Sequence, residues 1–115
     1  MTDFPRRGEV WLAELPEPTG SVLGGTHPAV IVQNDLGNQY STSTVVVPFT
    51  SKYERIYRFM ALVEPPDGGL TKSSVANASA MMAIDQRRLI RRMGALSAEA
   101  MAAVARAIKA NLDLD

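Results

Sequence analysis

Apolar residues in this chain fall mostly into short runs of strand length, separated by turn-forming residues, with one longer helical stretch near the end. Residues 8–15 predict a first strand whose apolar face carries Val10, Leu12 and Leu15. Pro16, Pro18 and Gly20 break it, and a glycine-rich loop continues to His27. Residues 28–33 form a nearly continuous β-branched run, the pattern of a buried central strand. Residues 34–38 have turn chemistry. Residues 44–49 predict another apolar strand, followed by polar Thr50, Ser51 and Lys52. Residues 57–63 alternate in part and predict a further strand, closed by the turn Pro65-Pro66-Asp67-Gly68-Gly69. Residues 73–78 and 81–84 predict short strands, Asp85 caps a brief helical turn through Leu89, and residues 90–95 return as a last strand.

The finish is different. Ser97 is placed to cap a helix, Glu99 lies in its first turn, and alanine-rich sequence runs to about Leu112. Met101, Val104, Ala105, Ile108 and Leu112 share one helical face, which predicts core packing. The pattern as a whole predicts a mainly β fold with a C-terminal α-helix, either a small, partly open barrel or a strongly bent sheet.

The chain has 115 residues, enough for one domain spanning 1–115 and one modest core. Cysteine is absent, which excludes disulfides and thiolate metal sites and agrees with a reducing cytoplasm. A single histidine excludes a multi-histidine metal centre within one chain, and no cofactor motif appears. No signal peptide or membrane span is expected. With 12 basic and 12 acidic residues the net charge is zero, so any affinity for phosphates must be local. Lys52, Arg55 and Arg58 make one basic region, and Arg87, Arg88, Arg91 and Arg92 another.

The most informative stretch is Gly20-Ser21-Val22-Leu23-Gly24-Gly25-Thr26-His27-Pro28. Its glycines let backbone N–H groups approach an anionic ligand closely, although the same composition serves a plain connection. It lacks the Gly-Lys-Ser/Thr ending of a Walker loop. His27 supplies the one side chain type that titrates near neutrality without perturbation, at a loop–strand boundary. Thr50, Ser51 and Lys52, at the end of a buried strand, offer two hydroxyls and an ammonium to a phosphate. Tyr53 and Tyr57 beside Arg55 and Arg58 suit stacking and charge contacts with single-stranded RNA, or ordinary surface.

Taken in order, these segments resemble the MazF/PemK family of toxin endoribonucleases. The resemblance is carried by Arg7-Gly8-Glu9-Val10-Trp11, Gly20-Ser21, Gly24-Gly25, Pro28-Ala29-Val30-Ile31-Val32 and Gln33-Asn34-Asp35. It continues through Pro48-Phe49-Thr50-Ser51, Ser74-Val75, Ile84-Asp85, Arg88-Leu89 and the Leu96-Ser97 helix start. It implies a small SH3-like (CcdB/PemK-like) barrel and a homodimer that receives single-stranded RNA. It further implies cleavage without a metal or cofactor, leaving a 2′,3′-cyclic phosphate or 3′-phosphate and a 5′-hydroxyl. A cognate, MazE-like antitoxin is the implied protein partner, and the cytoplasm the implied location.

The family's threonine at the scissile phosphate matches Thr50, and its arginine before the Pro-Ala-Val strand is replaced by His27. His27 and Thr50 are therefore the expected catalytic pair. Substrate contacts are expected from Ser21, Gly24, Gly25, Thr26, Ser51, Lys52, Arg55, Arg58, Ser74 and Ser79. Val22 stands where a glutamate is frequent, Ser79 and Ala80 replace a Glu-Gln pair, and Met82 replaces an arginine. Those losses motivate an alternative, a MazF-like protein that mainly binds antitoxin or RNA. A CcdB-type gyrase inhibitor is a further alternative, but the only tryptophan is Trp11, far from the C-terminal segment such a toxin uses.

Overall fold

The computed structural model describes residues 3–16 and 25–114. The strands are β1 (Glu9–Leu15), β2 (Gly25–Ile31), β3 (Ser43–Thr50), β4 (Met60–Val63), β5 (Ser74–Asn77), β6 (Met82–Asp85) and β7 (Leu89–Ala95). Two α-helices, α1 (Asp35–Tyr40) and α2 (Ala98–Leu112), complete the regular structure with three 3₁₀ turns. All strand pairs are antiparallel. The order is β4-β5-β3-β2-β1-β7, with β6 also on β3. β3 is thus the hinge of the architecture. Residues 43–46 pair with β6, and Phe49 and Thr50 pair with β5. The strand carries the sheet from one sub-sheet into the other. β4 and β7 do not meet, so the sheet is not closed.

Both faces of the central strands are buried, which is why their sequences run apolar without alternation. One face, with Val30, Val47 and Phe49, packs with Val10, Ala61, Val63 and Ala76 under Val104 and Ala107 of α2. The other face, with Ala29, Ile31 and Val46, packs with Ala13, Leu15 and Ile84 against Trp11, Met82 and Leu89. Pro48, which has no backbone donor for a ladder, falls where β3 leaves β6 and takes up β5.

Three boundaries differ from the sequence reading. β2 starts at Gly25 rather than at Pro28, because Gly25, Thr26 and His27 pair with Leu15, Glu14 and Ala13. Residues 34–38, expected as a turn, open helix α1, capped by Asn34, whose Oδ1 accepts from the Gly37 N–H at 2.7 Å. Bonds to residues outside it hold that short helix. The buried Asn38 accepts from Gln33 Nε2 at 3.0 Å and from the Thr44 hydroxyl at 2.6 Å, and Gln86 donates to the Asn38 carbonyl at 2.9 Å. On α2 the buried positions are Val104 and Ala107, and Leu112 is 48% exposed. An alanine-rich helix is apolar on several sides, so periodicity alone left its orientation loose. The small Ala103 and Ala107 are the residues that let it lie close on the sheet.

The Arg7-Gly8-Glu9-Val10-Trp11 segment has a structural role. The Glu9 carboxylate accepts from the Arg6 N–H and the Trp11 indole, each at 2.9 Å, and from Arg92 Nε at 2.9 Å. It ties the start of β1 to β7.

Candidate active site

The β2–β3 register pairs Ala29 with Pro48 and Val30 with Val47. Carried two residues further, it lines up His27 with Thr50. Both side chains are half-buried, and both line one cavity of about 530 Å³. Its polar lining comprises His27, Thr50, Ser51, Lys52, Thr71, Lys72 and Ser74, and its apolar lining comprises Pro28, Phe49, Leu70 and Met93. Strand ends hold the first pair rigidly, since β2 and β3 are fixed by the buried residues behind them.

The Thr50 hydroxyl is oriented by its own loop. It accepts from the Lys52 N–H at 3.2 Å and donates to the Lys52 carbonyl at 3.3 Å. Both contacts are long, so a phosphate oxygen entering the cavity competes well for this hydroxyl. The Ser74 hydroxyl donates to the Lys72 carbonyl at 2.9 Å and is buried, which commits it to shaping the loop. Tyr53 and Ser73 share a hydroxyl–hydroxyl bond at 3.1 Å that joins the two loops flanking the cavity.

A second cavity of about 630 Å³ adjoins the first through their common residues Thr50 and Lys52. Tyr53, Glu54, Arg55, Tyr57, Met60 and Asn77 line the rest of it. Arg55 sits over the Tyr57 ring, 5.6 Å from its centroid. Ser79 lies next to this cavity, with its N–H and hydroxyl both donating to Asn77 Oδ1, at 3.0 and 2.6 Å. Its contribution is to orient Asn77.

The remaining expected residues divide as follows. Gly25 and Thr26 are exposed at the start of β2, and Gly25 has φ +83°, which suits glycine. Ser21 and Gly24, with Val22 and most of the glycine-rich loop, lie outside the described residues. Arg58 lines neither cavity and faces a separate groove beside α2. The second arginine cluster is largely neutralised. Arg87 pairs with Asp85 at 2.9 Å, Arg92 with Glu9 at 2.9 Å, and Arg88 with Glu14 at 3.8 Å.

Thr71 and Lys72 were not anticipated. Their signal was legible nonetheless, because Thr71-Lys72-Ser73-Ser74 repeats the chemistry of Thr50-Ser51-Lys52, hydroxyls and an ammonium beside a buried strand. Among the described residues no group of three or more His, Cys, Asp or Glu side chains is arranged to hold a metal ion, and no helix is long and apolar enough to cross a membrane.

Comparison with known proteins identifies the family and the fold. The profile of a family described as PemK-like, MazF-like toxin of type II toxin–antitoxin system matches residues 6–112. Endoribonuclease MazF9 of Mycobacterium tuberculosis is 36% identical over 114 residues, covering 95% of this chain and 97% of its own. A solved endoribonuclease in complex with its cognate antitoxin, from Mycobacterial species, superposes with a TM-score of 0.80 at 24% identity, covering 96% of this chain and 97% of that one. MazF from Deinococcus radiodurans gives a TM-score of 0.84 at 21% identity, covering 98% and 100%.

Proposed function

The chain belongs to the PemK-like, MazF-like family of type II toxin–antitoxin toxins, which makes it an endoribonuclease toxin, and we propose that it cuts single-stranded RNA at a phosphate held between His27 and Thr50. The observation that carries this reading is the meeting of those two residues with Lys52 and Lys72 in one cavity at the ends of β2 and β3.

Cleavage of this kind moves a proton off the ribose 2′-hydroxyl, which attacks phosphorus, and places a proton on the departing 5′-oxygen. The products are a 2′,3′-cyclic phosphate and a 5′-hydroxyl. His27 moves the proton at one of these two oxygens, a task for which an always-protonated arginine is poorly suited. The Thr50 hydroxyl donates to a non-bridging phosphate oxygen, Lys52 offsets the charge that gathers there, and Lys72 holds a neighbouring phosphate of the strand. Arg55 and Tyr57 in the adjoining cavity receive a flanking nucleotide by charge and stacking. No step in this scheme calls for a metal.

The natural setting of this activity is the cytoplasm, with the chain as a homodimer and a cognate antitoxin covering the RNA surface. The solved relative in complex with its antitoxin supports that partner class.

The test is digestion of a long unstructured RNA with EDTA present, followed by mapping of the cut ends. Cuts bearing 5′-hydroxyls are expected, lost in Thr50→Ala and slowed about 10²–10⁴-fold in His27→Ala. An unchanged rate in His27→Ala removes that residue from the chemistry. RNA left intact by the unsubstituted chain favours the alternative of a binder without cleavage.

A further inference from the structure

We propose that the groove between the start of β4 and the C-terminal half of α2 is a second RNA-binding site, which takes backbone phosphates of the single strand beyond the cleaved bond. The groove encloses about 340 Å³ and is lined by Arg58, Phe59, Arg106, Lys109, Ala110 and Asp113. Three cations there face one carboxylate. Among the described residues Arg58, Arg106 and Lys109 enter no ion pair, in contrast to Arg87, Arg88 and Arg92. The fold therefore leaves the charge of this groove unspent. Arg106 and Lys109 are three residues apart, on one side of α2, and both are exposed.

A pair of stacked rings links the groove to the proposed cleavage site. Phe59, in its lining, stacks on Tyr57 with ring centroids 5.2 Å apart and planes 4° from parallel. Tyr57 in turn lines the cavity that shares Thr50 and Lys52 with the cleavage cavity. A track results that carries both cations and aromatic rings, from Thr50 past Arg55 and the stacked Tyr57 and Phe59 to the cations on α2. Grooves for single-stranded nucleic acid combine these elements, rings for bases and cations for phosphates. An acidic protein segment would engage the cations but gain little from the Tyr57 ring, 46% of whose residue surface is exposed. The observations favour RNA. The inference rests on the reading of this chain as an RNA-cutting enzyme for the identity of the ligand.

The test compares Thr50→Ala, in which RNA survives, with the same chain carrying Arg106→Glu and Lys109→Glu. Unchanged circular dichroism and thermal midpoint establish that both are folded. Binding is read by fluorescence anisotropy with labelled random-sequence RNA pools of about 5 and about 15 nucleotides, which bracket typical single-strand site sizes. Charge reversal is expected to weaken binding of the long pool by on the order of tenfold and to leave the short pool unchanged. The slope of log affinity against log salt for the long pool should fall by about 1.4, at about 0.7 per phosphate released from a single strand. Unchanged affinity and slope for the long pool overturn the proposal, as does equal weakening of both pools. Loss of antitoxin binding with RNA affinity retained assigns the groove to the protein partner and also overturns it. The two readings fail separately. Length-dependent binding by a chain that cuts no RNA refutes cleavage and keeps the groove, whereas cleavage with no effect of charge reversal on the pools does the reverse.

Discussion

Ser97 donates twice to the Asp67 carboxylate, through its backbone N–H at 2.8 Å and its hydroxyl at 2.7 Å. The same hydroxyl accepts from the Ala100 N–H at 3.1 Å. One serine therefore caps α2 and fastens it to the loop that continues to Leu70, Thr71 and Lys72 in the cavity. Ser97→Ala is expected to lower stability by about 1 kcal/mol in urea unfolding, the usual loss for an N-cap. Because Asp67 acts through Ser97, the double variant with Asp67→Ala should lose less than the sum of the singles. Additive losses would show that the two do not work as a unit.

Gly69 occupies φ +76°, and a Cβ built on it lies 2.2 Å from the Met93 carbonyl oxygen. Neither the backbone conformation nor the space accepts a side chain. Gly69→Ala is expected to lower stability by more than about 2 kcal/mol, combining left-handed strain with a backbone clash. Since Met93 lines the cavity that holds His27 and Thr50, RNA cleavage should fall in parallel if that cavity is the active site. A thermal midpoint equal to that of the unsubstituted chain would contradict the close packing of this loop on β7.

Lys72 lies exposed beside the cavity, with its backbone carbonyl held by Ser74. Its ammonium is expected to meet a phosphate and carry no part of the proton transfer. Lys72→Ala should raise KM for RNA with a smaller change in kcat, and reduce the salt slope of binding by about 0.7, one phosphate's share for a single strand. A fall in kcat with KM unchanged would place Lys72 at the reacting phosphate instead.

Asp85 gives the pH dependence of folding one identifiable component. Hydrogen bonds from the Arg87 side chain, and next from its backbone N–H, hold the Asp85 carboxyl down at about 2, from an ordinary 3.8. A depressed carboxylate stabilises the fold above its unfolded value. That contribution fades as pH falls from 3.8 through about 2. The carboxyl-carbon shift of Asp85 in NMR should titrate near 2, and Arg87→Gln should move the midpoint upward toward 3.8. A midpoint indifferent to Arg87→Gln would refute this origin. Arg87 is exposed and the Asp85 side chain is 37% accessible, so solvent screens the pair and the effect on global stability is small.

The strands were legible because short apolar runs of strand length bounded by turn residues have few other readings, and the sequence placed all seven within a few residues. Helix α1 was not, because six residues containing a glycine and an asparagine show no apolar period, and bonds to Asn38 from Thr44 and Gln86, both outside the helix, hold them in place. For the site, His27 and Thr50 could be singled out by their chemistry and position at strand ends. Arg58 could not be sorted from Arg55, since both follow the same strand and only the fold turns Arg55 toward the cavity beside Thr50 and Arg58 toward α2. The pairing of Arg88 and Arg92 with acids on β1 was equally hidden, because it joins residues more than seventy positions apart.

The cavity that holds His27 and Thr50 draws its lining from β2, β3 and the loop after it, the loop that leads into β5, and Met93 of β7. No contiguous piece of the chain contains it. A ribosome must translate past Met93, and β7 must dock on β1, before the pocket has its last wall. For an endoribonuclease toxin that acts at this cavity, such an order of assembly would delay activity until the segment through β7 has left the ribosome and folded.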